Sequence, residues 1–374
     1  MIKIIFKRRD TMSDFFRKIG GFFMAIIMFF MNLFGIGVKP EDKGLRNVIF
    51  LIGDGMGVMS VEKVRAETGA ALALDSFPVR SLSQTASANS SVTDSAAGAT
   101  ALACGVRTNN GCVGVYPDDV NAEKSYPMNL CEFAKSKGMM AGIVTTDSTR
   151  GATPGGFSAH TSSRNNTSEI TQYQLESDLD LVWGVKTSTC SQSKAESAGF
   201  EYVTDYESMA ALGEGTRSFG QFTGELWKSD CGNMPTLTQM TKKAIDLLDD
   251  GKNGFFLMVE GAHIDKHNHS NNGEGMKEAL LSFDSAVAAA LDYAKRDGHT
   301  LVVVTADHET GGITFENGEY VYTTTGHTGA DVPLYVYGFD TFVSQEEQSV
   351  LNTDIPKRIV AALEQEGFPC AVAK

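Results

Sequence analysis

Asn47-Val-Ile-Phe-Leu-Ile-Gly-Asp-Gly-Met-Gly57 is a short apolar run, 47–52, that ends abruptly in glycines around one aspartate. A run of that length with no polar face reads as a buried strand, and the glycines mark the loop that follows it. Runs of the same kind recur at 139–145, 254–259, 301–305 and 332–337, rich in Val, Ile, Leu, Met or Phe. Helical patterns lie between them, at 235–250 and 274–296. Strands apolar on both sides, alternating with helices, predict an α/β fold: a mainly parallel central sheet with helices on both faces, in three layers. Ligands of such a sheet gather beyond the carboxyl ends of its strands. The polar stretch 165–233, with Ser and Thr clusters and weak periodicity, is expected as an insertion or cap over the site, or as surface decoration.

The chain has 374 residues, 42% of them hydrophobic, enough for one large core or two smaller ones. A formal net charge of -14 argues against a nucleic-acid partner, because phosphate backbones are bound by surplus Lys and Arg. A site for an anionic substrate must then supply its own positive charge. The six cysteines (Cys104, Cys112, Cys131, Cys190, Cys231, Cys370) show no CxxC spacing and fit either disulfides or buried thiols.

The first forty residues stand apart. Lys3, Lys7, Arg8, Arg9, Arg17 and Lys18 precede a charge-free apolar run, 19–38. At 1.5 Å per residue such a run reaches about 30 Å, the thickness of a bilayer core. Segment 1–40 therefore reads as an export signal or membrane anchor, with the anchor favoured because Gly35-Ile36-Gly37 is a weak cleavage site. Either fate places 41–374 outside, as a secreted, periplasmic or outward-facing domain.

Three acidic segments follow strands: Asp54 after the first, Glu260 after 254–259, and Asp307 with His308 after 301–305. A carboxylate buried at a strand end is costly unless it pairs or binds a cation, although a lone Asp there more often serves as a helix cap or turn residue. In Glu260-Gly-Ala-His-Ile-Asp-Lys-His-Asn-His269, Asp265 and His269 fall on one helical face at i, i+4, a good zinc pair. His263 and His267 are expected beside the ligands rather than among them. Ser95, in Thr93-Asp-Ser-Ala-Ala-Gly-Ala-Thr-Ala-Leu-Ala-Cys104, opens a helix of small residues whose N-terminal N–H groups favour a phosphate. No GxSxG elbow surrounds it, so its activation would come from a metal ion rather than a triad.

These segments resemble the alkaline phosphatase family of bacterial type. The resemblance rests on 47–57, Thr93-Asp-Ser-Ala-Ala97, Val259-Glu-Gly-Ala-His-Ile-Asp-Lys-His-Asn-His269, Thr305-Ala-Asp-His-Glu-Thr-Gly-Gly312 and Gly326-His-Thr-Gly329, in the family's order. It implies that Ser95 becomes phosphoserine, that Asp265, His269 and His327 hold one zinc, and that Asp54, Asp307 and His308 hold a second. Asp54 would also bridge to magnesium, with Thr153 and Glu260, and Arg164 would clamp the phosphate with its planar fork. The activity implied is hydrolysis of small phosphate monoesters by a catalytic domain spanning 41–374, with a homodimer allowed. A phosphodiesterase or phosphomutase of the same superfamily is the nearest alternative, and a non-enzymatic anchored metal-binding protein the remotest. Two departures stand out: Gly151 replaces an acid that usually orders water around the magnesium, and the stretch between Gly312 and His327 is short.

Overall fold

The computed structural model describes residues 44–120, 125–363 and 372–373. The segment 1–40 expected to direct export, and Cys370, lie outside these. Among the described residues no helix is long and apolar enough to cross a membrane, and the other five cysteines are free thiols.

A ten-stranded sheet organises the chain. Its strands are β1 (Asn47–Gly53), β2 (Val79–Gln84), β3 (Met140–Ser148), β4 (Leu181–Val185), β5 (Glu201–Val203), β6 (Ser218–Phe222), β7 (Phe255–Gly261), β8 (Thr300–Thr305), β9 (Val332–Tyr337) and β10 (Ser349–Leu351). They lie in the order β10-β2-β9-β8-β1-β7-β3-β4-β6-β5. All neighbours run parallel except β9, which is antiparallel to both β8 and β2. The fold is thus the mostly parallel α/β sheet that the pattern of runs predicts.

β1 shows why its sequence has no polar face. Successive side chains on a strand point to opposite sides. Ile49 and Leu51 enter one core with α1 (Val58–Thr68), α4 (Leu237–Leu248) and α6 (Gly273–Asp297). Val48, Phe50 and Ile52 enter the other, with α2 (Ser95–Cys104), α3 (Leu130–Ser136) and α7 (Asp354–Ala362). Helices cover both faces, so every β1 residue is buried.

The 165–233 stretch differs from its expectation as a cap or decoration. It carries β4, β5 and β6, which extend the sheet beyond β3, and Trp183, Phe219 and Phe222 from it are fully buried.

Candidate active site and metal centre

Register places the acidic residues. Ile52 on β1 lies opposite Glu260 on β7 and Thr305 on β8, so Asp54 and Asp307 each emerge two residues past paired positions. Thr145 on β3 is the register partner of Glu260 on its other side. A two-residue pairing, Thr310 with His327, then brings Gly326-His-Thr-Gly329 beside His308. Close approach here demands glycine at Gly55: its φ is +68°, and a Cβ would lie 2.7 Å from the Asp265 Cβ.

Asp54, Asp307 and His308 are all buried, each with a ligand atom within 4.8 Å of the others. Asp307 Oδ1 accepts hydrogen bonds from the N–H groups of Gly55 (3.2 Å) and His308 (3.0 Å). Its Oδ2, and Oδ1 of Asp54, have no hydrogen bond. They lie 3.4 and 3.5 Å from His308 Nε2, which is 3.1 Å from Ser95 Oγ. Burial, helped by His327, His269 and Arg164, holds the His308 pKa well below its ordinary value, so the ring is neutral. Thr310 Oγ1 donates to Asp265 Oδ1 at 2.6 Å and must therefore accept from His308 Nδ1 at 3.2 Å. This network assigns the proton to Nδ1 and aims the Nε2 lone pair at two carboxylate oxygens. A Ser-His-Asp triad would put its carboxylate on Nδ1. Acceptors crowded on Nε2 are the layout of a shared cation.

The second cluster, Asp265, His269 and His327, repeats this logic. His327 Nδ1 faces the Thr93 carbonyl at 2.9 Å and His269 Nδ1 the Thr325 carbonyl at 2.5 Å. Carbonyls only accept, so in the neutral rings both protons sit on Nδ1. The two Nε2 atoms face each other at 3.2 Å, with Asp265 Oδ1 at 3.3 and 3.6 Å. Lone pairs from all three converge with no proton between them, and a cation resolves the repulsion. Asp265 and His269 sit on α5 (His263–Asn268) and at its C-cap, tied by a 2.8 Å backbone hydrogen bond; the helix opens two residues before Asp265.

Glu260 lies close enough to Asp54 for their charges to interact, with Thr153 beside Glu260; these three groups form an outer site. Thr145 donates to Glu260 Oε2, and the buried Thr153 Oγ1 has no hydrogen-bond partner. Burial pushes the Glu260 carboxyl up to about 7. Asp54 and Asp307 are raised as well, by burial first and then by neighbouring carboxylates. Orphaned oxygens and charge repulsion together fit a divalent ion here.

Ser95 is the first residue of α2, whose N-cap is Asp94: Ala97 N–H donates to Asp94 Oδ1 at 3.0 Å. The other oxygen, Oδ2, holds Arg164 Nη1 at 3.0 Å. One carboxylate therefore orients both the helix start and the guanidinium. His263 and His267 are outside both clusters and pack on the Trp227 ring, at 5.6 and 4.5 Å between centroids. Thr310, Asp94 and the carbonyls of Thr93 and Thr325 were not foreseen. All but Thr325 lie inside the quoted motifs, but nothing in a sequence tells a structural threonine from one that sets a tautomer.

The parallel sheet and its paired carboxylate–histidine clusters define a metal-binding centre of α/β type, with a serine against one cluster. The chain belongs to the alkaline phosphatase family, whose model matches residues 45–180 and 177–325. It is 35% identical to alkaline phosphatase 4 of Bacillus subtilis over 307 residues, 75% of this chain and 65% of that one. It thus spans just under two thirds of that relative's length. With the Escherichia coli alkaline phosphatase it shares 33% identity over 338 residues, 72% of this chain and 71% of the other. The solved alkaline phosphatase of the Antarctic bacterium TAB5 superposes with a TM-score of 0.74 at 30% identity, covering 86% of this chain and 99% of that one. A variant of that enzyme was solved with magnesium bound.

Proposed function

We propose that this chain hydrolyses small phosphate monoesters through a phosphoserine on Ser95. The observation that carries the reading is Ser95 Oγ at 3.1 Å from His308 Nε2, with two orphaned carboxylate oxygens 3.5 and 3.4 Å from the same nitrogen. Asp265, His269 and His327 would hold one zinc, Asp54, Asp307 and His308 a second, and Asp54, Thr153 and Glu260 a magnesium. When bound, these cations supply positive charge that neutralises the phosphate and acidifies the serine hydroxyl and the attacking water.

The side chains do the rest. Ser95 attacks phosphorus in line with the ester oxygen, the P–O bond to the alcohol breaks, and the alcohol leaves with a proton. Water then attacks the phosphoserine, the Ser95–phosphorus bond breaks, and the serine recovers its proton as phosphate departs. Free N–H groups at the start of α2 face the phosphate. Arg164, held in place by Asp94, grips two non-bridging oxygens with its fork and stabilises their charge in the transition state. That grip favours a monoester, which has one more charged oxygen than a diester. The basic-then-apolar segment 1–40 supports export, so the substrates would be external phosphate esters.

The test compares a chromogenic monoester with its diester analogue, with zinc and magnesium present, in the parent and in Ser95→Ala. The parent should prefer the monoester, and the variant should lose on the order of a thousandfold in kcat. Equal activity in the variant, or a diester preference, sinks the mechanism.

A further inference from the structure

Asp147 lies in none of the motifs, yet the structure places it beside Gly151, two residues before Thr153, and within charge–charge reach of Glu260. It is the next-to-last residue of β3, where its N–H donates to Thr145 Oγ1 at 2.9 Å, and Thr145 in turn donates to Glu260. Its carboxylate Oδ1 holds Lys266 Nζ at 2.6 Å, one residue past Asp265. Its Oδ2 lies 3.5 Å from the point where a Cβ on Gly151 would stand. Gly151 has φ −61° and ψ 170°, extended backbone that any residue adopts, although a Cβ there would stand 3.0 Å from the Ser148 carbonyl oxygen. The space that its side chain would enter is bordered by the Asp147 carboxylate. Lys266 and Asp147 are 43% and 33% exposed, and a pair that open to water contributes little to folding. Its position next to Glu260 therefore calls for another reason.

We infer that Asp147 is a positioning residue for the outer divalent cation, standing in for the carboxylate that Gly151 lacks. It acts through its carboxylate, which neutralises Lys266 and so keeps an ammonium from repelling the cation; the bond to Thr145 comes from its backbone N–H, which any residue at this position supplies. Its own charge adds to the field that draws the ion in. This rests on the magnesium assignment proposed above.

Magnesium is titrated calorimetrically into zinc-loaded full-length protein, with zinc content measured in each variant. Asp147→Asn should weaken magnesium about tenfold or more and leave zinc content unchanged. Adding Gly151→Asp to Asp147→Asn should restore affinity to within about threefold of the parent, because the acid returns on the adjoining backbone. Asp147→Glu, which keeps the charge, should lose less than Asp147→Asn. Parent-like magnesium affinity in Asp147→Asn, equal losses in the Asn and Glu variants, or no recovery in the double variant overturns the inference. Monoester hydrolysis by the parent, measured alongside, separates the two readings. A parent that hydrolyses monoesters while its magnesium affinity ignores Asp147 leaves the function standing and removes this role alone.

Discussion

Glu260 carries a pH signature whose sign is fixed by its surroundings. In the metal-free protein burial raises its pKa from 4.5 to about 7. A raised folded-state pKa contributes stability that is complete below about 4.5 and lost as pH climbs through about 7, with a ceiling near 3 kcal/mol. Asp54 and Asp307 shift in the same direction and add to the loss. Carboxyls lowered by ion pairing, such as Glu347 at about 2, titrate below this window. The lowered pKa values of His263, His267 and His308 act in the opposite direction up to about pH 6.5, so the urea midpoint of chelated protein should fall between about pH 6.5 and pH 8, and Glu260→Gln should flatten part of that fall. A midpoint that rises over this range contradicts the assignment of burial as the cause. Thr310 tests the other half of the site. Thr310→Val leaves the buried Nδ1–H of His308 without an acceptor, at a cost of about 1–3 kcal/mol in metal-free stability, and should weaken zinc about tenfold. Zinc competition would show unchanged affinity if the tautomer is held some other way. Carboxylates at strand ends were legible because burial there needs a reason. Thr310 was not, since a threonine in a short strand needs none.

At the level of elements, α2 decides how closely Ser95 approaches the strand ends. All ten of its residues are buried, and alanine and glycine let it lie against the loop that carries Asp307. A Cβ on Gly98 would meet the Asp307 backbone oxygen at 2.9 Å and Asp307 Cβ at 3.0 Å. Helix propensity alone favours Gly98→Ala by about 1 kcal/mol, whereas overpacking against a backbone costs about 1–3 kcal/mol. The backbone loop cannot swing aside as a side-chain tip would, so the clash should win. Gly98→Ala is expected to lower both the unfolding midpoint and zinc affinity, and a stabilised variant with parent-like zinc binding would show that α2 shifts freely. The same contrast explains which elements the sequence revealed. The runs at 47–52, 254–259 and 301–305 were legible as strands because both of their faces are buried, leaving an unbroken apolar signal. β4 and β6 are also buried, but Gly184, and Gly220 with Gln221, interrupt them, and β5 is a three-residue edge. Their surroundings are rich in Ser and Thr, so the stretch reads as a loop until neighbouring strands supply the pairing.

Across the whole molecule, the two cation clusters join elements far apart in the chain: the end of β1, α5, the end of β8 and the 326–329 turn. Without cations these elements converge on repelling lone pairs and unsatisfied carboxylate oxygens, so the folded state is strained where it is best connected. Each site filled at about a thousand times its Kd stabilises the fold by about 4 kcal/mol. In a domain of this size that corresponds to a rise of roughly 6 °C in Tm per site. The gain should be local in origin. No ligand comes from β4, β5 or β6, which meet the site only through β3. Hydrogen exchange compared with and without chelator should therefore show faster exchange at Gly53–Met56, in α5 and around His308 and His327 once the cations are removed. The β4–β6 edge should change little. Superimposable thermal scans, or an exchange difference spread evenly over the sheet, would mean that the clusters do not tie these elements together.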